Sequence, residues 1–166
     1  MRSPDTIQPV VNMLPQLTLT LEIRAEVGEP IAVGETGGVQ RRVVPIIGGT
    51  FEGRGELFAK GRVVSGGADV QMIQPDGLTI ADARYVLETE HGQTIQVANR
   101  GLRHAPPETI RKLLAGECVD PSLVYFRTTP VFETGATDLQ VLVRSIFIGI
   151  GERYPRHVIM RCWKVE

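Results

Sequence analysis

Cysteine is scarce in this chain of 166 residues: only Cys118 and Cys162 occur, with no CxxC pair. His91, His104 and His157 are scattered, so no metal site is expected from the usual ligand spacings. Aromatic residues make up 5% of the chain, which leaves an aliphatic core as the expectation. An excess of one charge is also missing, since 18 Lys and Arg stand against 19 Asp and Glu. That balance argues against a nucleic-acid partner, and the longest basic cluster, Arg41-Arg42, reads as a solvated strand end. No apolar run approaches the roughly 20 residues needed to cross a bilayer. The opening MRSPDTIQPVVNML lacks a basic region followed by a long apolar core. The expectation is a soluble, cytoplasmic protein that does not engage membranes. Ser65 and Ser145 stand in no GxSxG context, which argues against a serine hydrolase. The glycine-rich run Gly48 to Gly55 has no following Lys-Ser or Lys-Thr, so it reads as a bulged strand corner and not a phosphate loop.

What the chain does contain is turn residues, 18 Gly and 11 Pro, and short runs of alternating polarity. Residues 1–16, with Pro4, Pro9 and Pro15, read as an N-terminal arm, and residues 17–166 as a single domain. Leu17 to Val27 alternates most cleanly, with Leu17, Leu19, Leu21 and Ile23 on one face. Further strands are predicted over Val39–Ile47, Glu56–Ser65, Asp69–Gln74, Leu123–Thr129, Val131–Glu133, Leu139–Ile150 and His157–Val165. Gly34 to Gly38 reads as a loop, and Pro75-Asp76-Gly77 as a turn. One short helix is predicted from Pro107 to Ala115, with Glu108 near its start and Gly116 as its left-handed cap.

The central hairpin, Ala83 to Arg100, is read with His91-Gly92 as a two-residue loop, so that Tyr85 faces Ala98 and Ala83 faces Arg100. Ala83, Tyr85, Leu87, Gln96, Ala98 and Arg100 then share one surface, and Arg84, Val86, Ile95, Val97 and Asn99 the other. Two mixed surfaces suit a barrel wall with a partly polar lumen, and equally an ordinary sandwich with solvated arginines. The strand count favours the former: an all-β fold, a single antiparallel β-barrel of about eight to ten strands with one short helix.

The segments IIGGTFEG, SGGADVQMIQPDG, ARYVLETEHGQTIQVANRGLRHAP, YFRTTPVFETG and LVRSIFIGIGERYP follow one another in this order. Together they resemble the family of small bacterial and fungal proteins known as the domain of unknown function numbered three-two-three-seven. The resemblance spans roughly residues 17 to 166 and implies a calycin-like or cyclase-like β-barrel, often self-associated as a homodimer or higher homo-oligomer, with no generally established activity. Three departures from the family's usual pattern are Val70, where an aromatic is common, the run Val141 to Arg144, where a Trp-Leu-Asn-Arg-like sequence is common, and a longer strand after Arg54. Loss of those aromatics implies a wider or more apolar cavity.

Polar residues set in otherwise apolar strands are the candidate site. Arg84, Arg100, Arg127, Arg144, Gln71, Gln96 and Asn99 are the expected ligand-binding groups, because an arginine in a lumen needs a carboxylate or an anionic ligand. Buried pairs such as Arg127 with Glu133, or Arg100 with Asp69, would satisfy the same need structurally. For chemistry, Glu133 or Asp69 suits a base and Tyr85 an acid, acting on an enolisable or conjugated carbonyl compound without a cofactor. The expected partner is a small apolar or anionic molecule. A non-catalytic carrier or sensor, or a structural homo-oligomeric barrel with a filled lumen, accounts for the same residues.

Overall fold

The computed structural model describes residues 14–166; the expected N-terminal arm lies almost wholly outside them. Nine strands run in chain order: β1 (Leu17–Val27), β2 (Ile31–Thr36), β3 (Val39–Gly53), β4 (Lys60–Ile73), β5 (Thr79–Thr89), β6 (Thr94–His104), β7 (Tyr125–Glu133), β8 (Phe147–Arg153) and β9 (His157–Val165). They form one antiparallel sheet in the order β1-β9-β8-β7-β6-β5-β4-β3-β2, and β1 also pairs with β3. That last pairing closes β1 and β3 to β9 into a barrel of eight strands and leaves β2 outside as an extra strand on the first half of β3. Closure removes the sheet edges that an open eight-stranded sheet would expose.

β3 serves both the extra hairpin and the barrel because it bends at a bulge. Its register with β4 shifts between Ile46 and Thr50. Gly49 sits at that corner with a φ of 124°, where a Cβ would fall on the carbonyl of Arg24. The glycine-rich run is therefore a bulged strand, as its lack of phosphate-loop features implied. β4 bends similarly between Val64 and Ala68 but is not broken at Gly66-Gly67. Nor does Pro130 end β7, since it lies opposite Asn99 within the ladder.

The central hairpin differs from expectation by one residue. Glu88 pairs with Thr94, Tyr85 with Val97 and Ala83 with Asn99. A two-residue loop would need a positive φ at His91, yet only Gly92 has one. The turn is longer: the Thr89 hydroxyl accepts from the amides of His91 and Gln93 at 3.3 and 3.1 Å. A one-residue slip exchanges faces. Ala83, Tyr85 and Leu87 now share the interior with Ile95, Val97 and Asn99, while Gln96 and Arg100 turn outward.

Leu139 to Val143 is not strand. Thr137–Leu139 forms a 3-10 turn that leads into a short helix, Gln140–Val143, here the second helix, α2. Leu139 and Leu142, three apart, bury together into the barrel end, a periodicity that a continuous apolar run conceals. Each contributes on the order of 1.5–3 kcal/mol by burial. Leu57, from the β3–β4 loop, joins them, and Phe132 packs edge-on against Phe147 at 5.2 Å. This end of the barrel is a dry core of Leu21, Ile23, Phe51, Leu87, Ile95 and Val97.

At the opposite end stands the first helix, α1 (Pro107–Leu114), with Ile110 and Leu113 buried and Gly116 beyond it at a φ of 78°. The Cβ that Gly77 lacks would touch Ile110, so the Pro75-Asp76-Gly77 turn and α1 pack closely. Among the described residues, no helix is long and apolar enough to cross a membrane.

Candidate functional site

The interior changes character along the barrel. Below lies the aliphatic core; above it, inward positions on β4, β5 and β6 become polar or small. Tyr85 lies level with Val97, Asp69 with Ala83 and Asn99, Gln71 with Ala81 and Gly101, and Arg103, nearest the mouth, with Thr79 and Phe126. Ala81 and Ala83 leave space where larger side chains would close it, whereas Gly101 is packed against Arg127 and Thr128. A cavity of about 50 Å3 remains, lined by Asp69, Gln71, Tyr85, Asn99, Arg103, Thr128 and Arg153 among apolar neighbours such as Ala83, Phe126 and Met160. Val27 and Arg153 also line a neighbouring vestibule of about 790 Å3 between α1, the β1–β2 loop, β3 and the β8–β9 turn.

Three arginines surround the neck of this cavity. Arg42, inward on β3, donates from Nε to Gln71 Oε1 at 2.8 Å. Arg153, at the end of β8, donates to the carbonyl oxygens of Tyr154 and His157. Arg103 is only 2% exposed, and its guanidinium lies over the Phe126 ring, 5.7 Å from the centroid. Among the described residues its Nε has no hydrogen-bond partner, and neither has the side-chain oxygen of Asn99, 4% exposed. Buried polar atoms are nearly always paired, and each unpaired one costs about 1–3 kcal/mol. Both atoms therefore keep hydrogen-bonding capacity for a group that enters the cavity, water included.

One carboxylate, Asp69, lines the cavity with them. Its Oδ2 accepts from Gln71 Nε2 at 2.5 Å and its Oδ1 from the Asp82 amide at 3.1 Å. Burial pushes its pKa above the usual carboxylate value, opposed by Gln71, the Asp82 amide and the charges of Arg103 and Arg42. Burial also lowers Arg103 to about 10, helped by like charge from Arg42 and opposed by Asp69. Arg42 and Arg153 are lowered for the same first reason. Tyr85 is pushed up by burial, then by Cys162 and Asp69, and stays a neutral phenol. With all ions formed, three cations and one anion leave a net positive collar around an apolar chamber.

Of the residues singled out from sequence, Asp69, Gln71, Tyr85 and Asn99 converge here. The others do not. Arg84 is exposed beside Asp82 at 3.5 Å, and Gln96, Arg100 and Glu133 point outward. Arg127 caps its own strand, bonding the Phe126 carbonyl and stacking on Tyr125 at 5.1 Å. Arg144 ends α2, exposed to solvent. The proposed buried pairs are not formed: Arg127 and Glu133 share the outer face of β7 but stand six residues apart, and Arg100 faces outward while Asp69 faces the lumen. Val70 is 52% exposed on the outer surface, so it does not widen the cavity. Arg42, Arg103 and Arg153 carry no sequence signal of a site, since arginines near strand ends usually reach solvent. For Arg103 parity gives a signal of burial only: it shares a face with Ile95 and Val97.

Fold and site together define a closed antiparallel β-barrel with a cationic, partly polar lumen at one end. The chain belongs to the family described as "Protein of unknown function (DUF3237)", whose model matches residues 15–165. A curated relative, a UPF0311 protein of Rhodopseudomonas palustris strain TIE-1, is 41% identical over 150 residues, covering 87% of this chain and 96% of the relative. The crystal structure of the conserved protein of unknown function RPA1785 from the same species matches with a TM-score of 0.88 at 38% identity, covering 93% of this chain and 99% of that one. An enzyme from Penicillium herquei shares the fold, with a TM-score of 0.68 at 17% identity and coverage of 93% and 96%.

Proposed function

We propose that the lumen takes a small organic molecule by a carbonyl or anionic oxygen and moves a proton on it, as a cofactor-independent isomerase or cyclase of enolisable carbonyl compounds. The observation that carries this reading is the unpaired Nε of the buried Arg103. An unmatched guanidinium in an apolar chamber supplies what an enolate oxygen needs as its charge develops. Asp69, its pKa raised by burial, suits the base that takes a proton from the carbon beside the carbonyl and returns it elsewhere on the same molecule. Tyr85 suits a hydrogen-bond donor to the oxygen and not an acid that becomes phenolate, since burial holds it neutral.

The test is proton NMR in heavy water on a panel of methyl and unsaturated ketones. Protein-dependent loss of the α-proton signals, abolished in Asp69→Asn, supports the reading. Exchange no faster than in buffer for every ketone sinks it. One observation favours a non-catalytic carrier: both Asp69 oxygens already accept hydrogen bonds. In that case ligand binding survives Asp69→Asn and no exchange is seen.

A further inference from the structure

The lumen and its vestibule differ widely in size, about 50 Å3 against about 790 Å3, yet Val27 and Arg153 line both. The vestibule wall is mixed, with Arg24, Glu26, Glu29, Arg156 and His157 around its apolar side chains. The arginine collar sits at the neck, where Arg42 and Arg153 border the vestibule and Arg103 the lumen. Outside the neck the vestibule wall carries Ile47, 52% exposed, and Leu114, 37% exposed, beside Leu113. A chamber this small admits a head of only a few heavy atoms, whereas the vestibule beside it has room for much more, with Ile47, Leu113 and Leu114 as its apolar strip.

We infer that the ligand is an amphipathic acid, with its oxyanion at the arginine collar and an apolar tail lying in the vestibule against Ile47, Leu113 and Leu114. The inference rests on the oxyanion-binding reading above and adds a second subsite to it. A tail laid on these side chains removes apolar surface of both partners from water, the usual driving force for such contact. Full burial of one methylene is worth up to about fourfold in affinity. A half-covered tail gains less per carbon, so four added methylenes bring about tenfold or more.

Isothermal titration of the full chain with butyrate and with octanoate tests this. Octanoate is expected to bind at least about tenfold tighter than butyrate. The double variant Ile47→Thr with Leu114→Ser, at solvent-exposed positions that tolerate the change, is expected to remove most of that difference. Arg103→Met is expected to lose both acids. Equal affinity for the two acids, with both lost in Arg103→Met, overturns the tail subsite and leaves the oxyanion site standing. A chain-length gain that survives the double variant, or that persists in Arg103→Met, also overturns it, because the tail would then be held elsewhere. If neither acid binds, the tail subsite and the oxyanion reading fall together.

Discussion

Gln71 donates to Asp69 across 2.5 Å from two residues along the same strand, so the cavity's one carboxylate is held by a neighbour on its own face. The amide is itself fixed, because its oxygen accepts from Arg42. A carboxylate bound on both oxygens keeps one orientation, which a base or an anchoring anion requires.

Replacing Gln71 by Leu keeps most of the volume and removes both bonds. Arg42 loses a buried acceptor and Asp69 a donor, at an expected cost of about 1–3 kcal/mol. Urea unfolding checks this, and an unchanged midpoint would show that the Arg42–Gln71–Asp69 chain is not a structural tie.

The raised pKa of Asp69 has a definite sign in stability. The folded state holds the proton more tightly than the unfolded chain, whose carboxyl titrates near the ordinary value of 3.8. Below that value both states are protonated and the site adds no penalty. As pH rises from there to the folded pKa, only the unfolded state ionises readily, so stability falls; above the folded pKa the penalty is complete. Melting temperatures of wild type and Asp69→Asn, measured from about pH 3 to 8, should therefore diverge upward in favour of the variant and then run parallel. A difference that is flat across the range contradicts the assignment.

Arg103→Met removes a buried charge whose Nε is unpaired and keeps a long, flexible side chain over Phe126. Such exchanges of buried ions for apolar groups are often neutral or stabilising. The expected result is a melting temperature at or above that of the parent, together with loss of anion binding by at least about tenfold, the difference expected for charge-assisted bonds of about 1.5–3 kcal/mol. A clear loss of stability would mean that Arg103 serves the fold and not a ligand.

The two thiols should separate by reactivity. Cys118 is exposed, whereas Cys162 is buried in the barrel and pushed up to about 12 by that burial. Iodoacetamide at mildly alkaline pH should add one label to the native chain and two in denaturant, as read by intact mass. Two labels under native conditions would indicate that β9 opens readily.

How far the sequence told the structure depended on whether a segment had one wet face. β1 and β9 alternate or keep an apolar side throughout, and their limits, Leu17–Val27 and His157–Val165, are those expected. The central hairpin is apolar on both sides, so parity could not choose its register, and a turn held by the Thr89 hydroxyl shifted it by one residue. That slip is why Asn99 entered the lumen and Arg100 left it. The run from Leu139 to Ile150 is almost wholly apolar, which hides the switch from helical to extended spacing at Arg144. The resemblance to a known family supplied the barrel but no site. The site became visible only when closure of the sheet brought β3, β6 and β8 around one mouth, placing Arg42, Arg103 and Arg153 together although they are far apart in sequence.

Closure also sets an order of events during synthesis. Glu22 on β1 and Arg161 on β9 are 139 residues apart and joined by an ion pair of 2.8 Å. β1 leaves the ribosome early and waits for β9, exposing its edge until nearly the whole chain has been made. Meanders from β3 to β7 can assemble locally in the meantime, but the lumen has no floor or wall on one side until β9 arrives. A truncated chain that lacks β9 is thus not a smaller barrel but an open sheet with its polar interior turned to water and two unguarded edges available to neighbours.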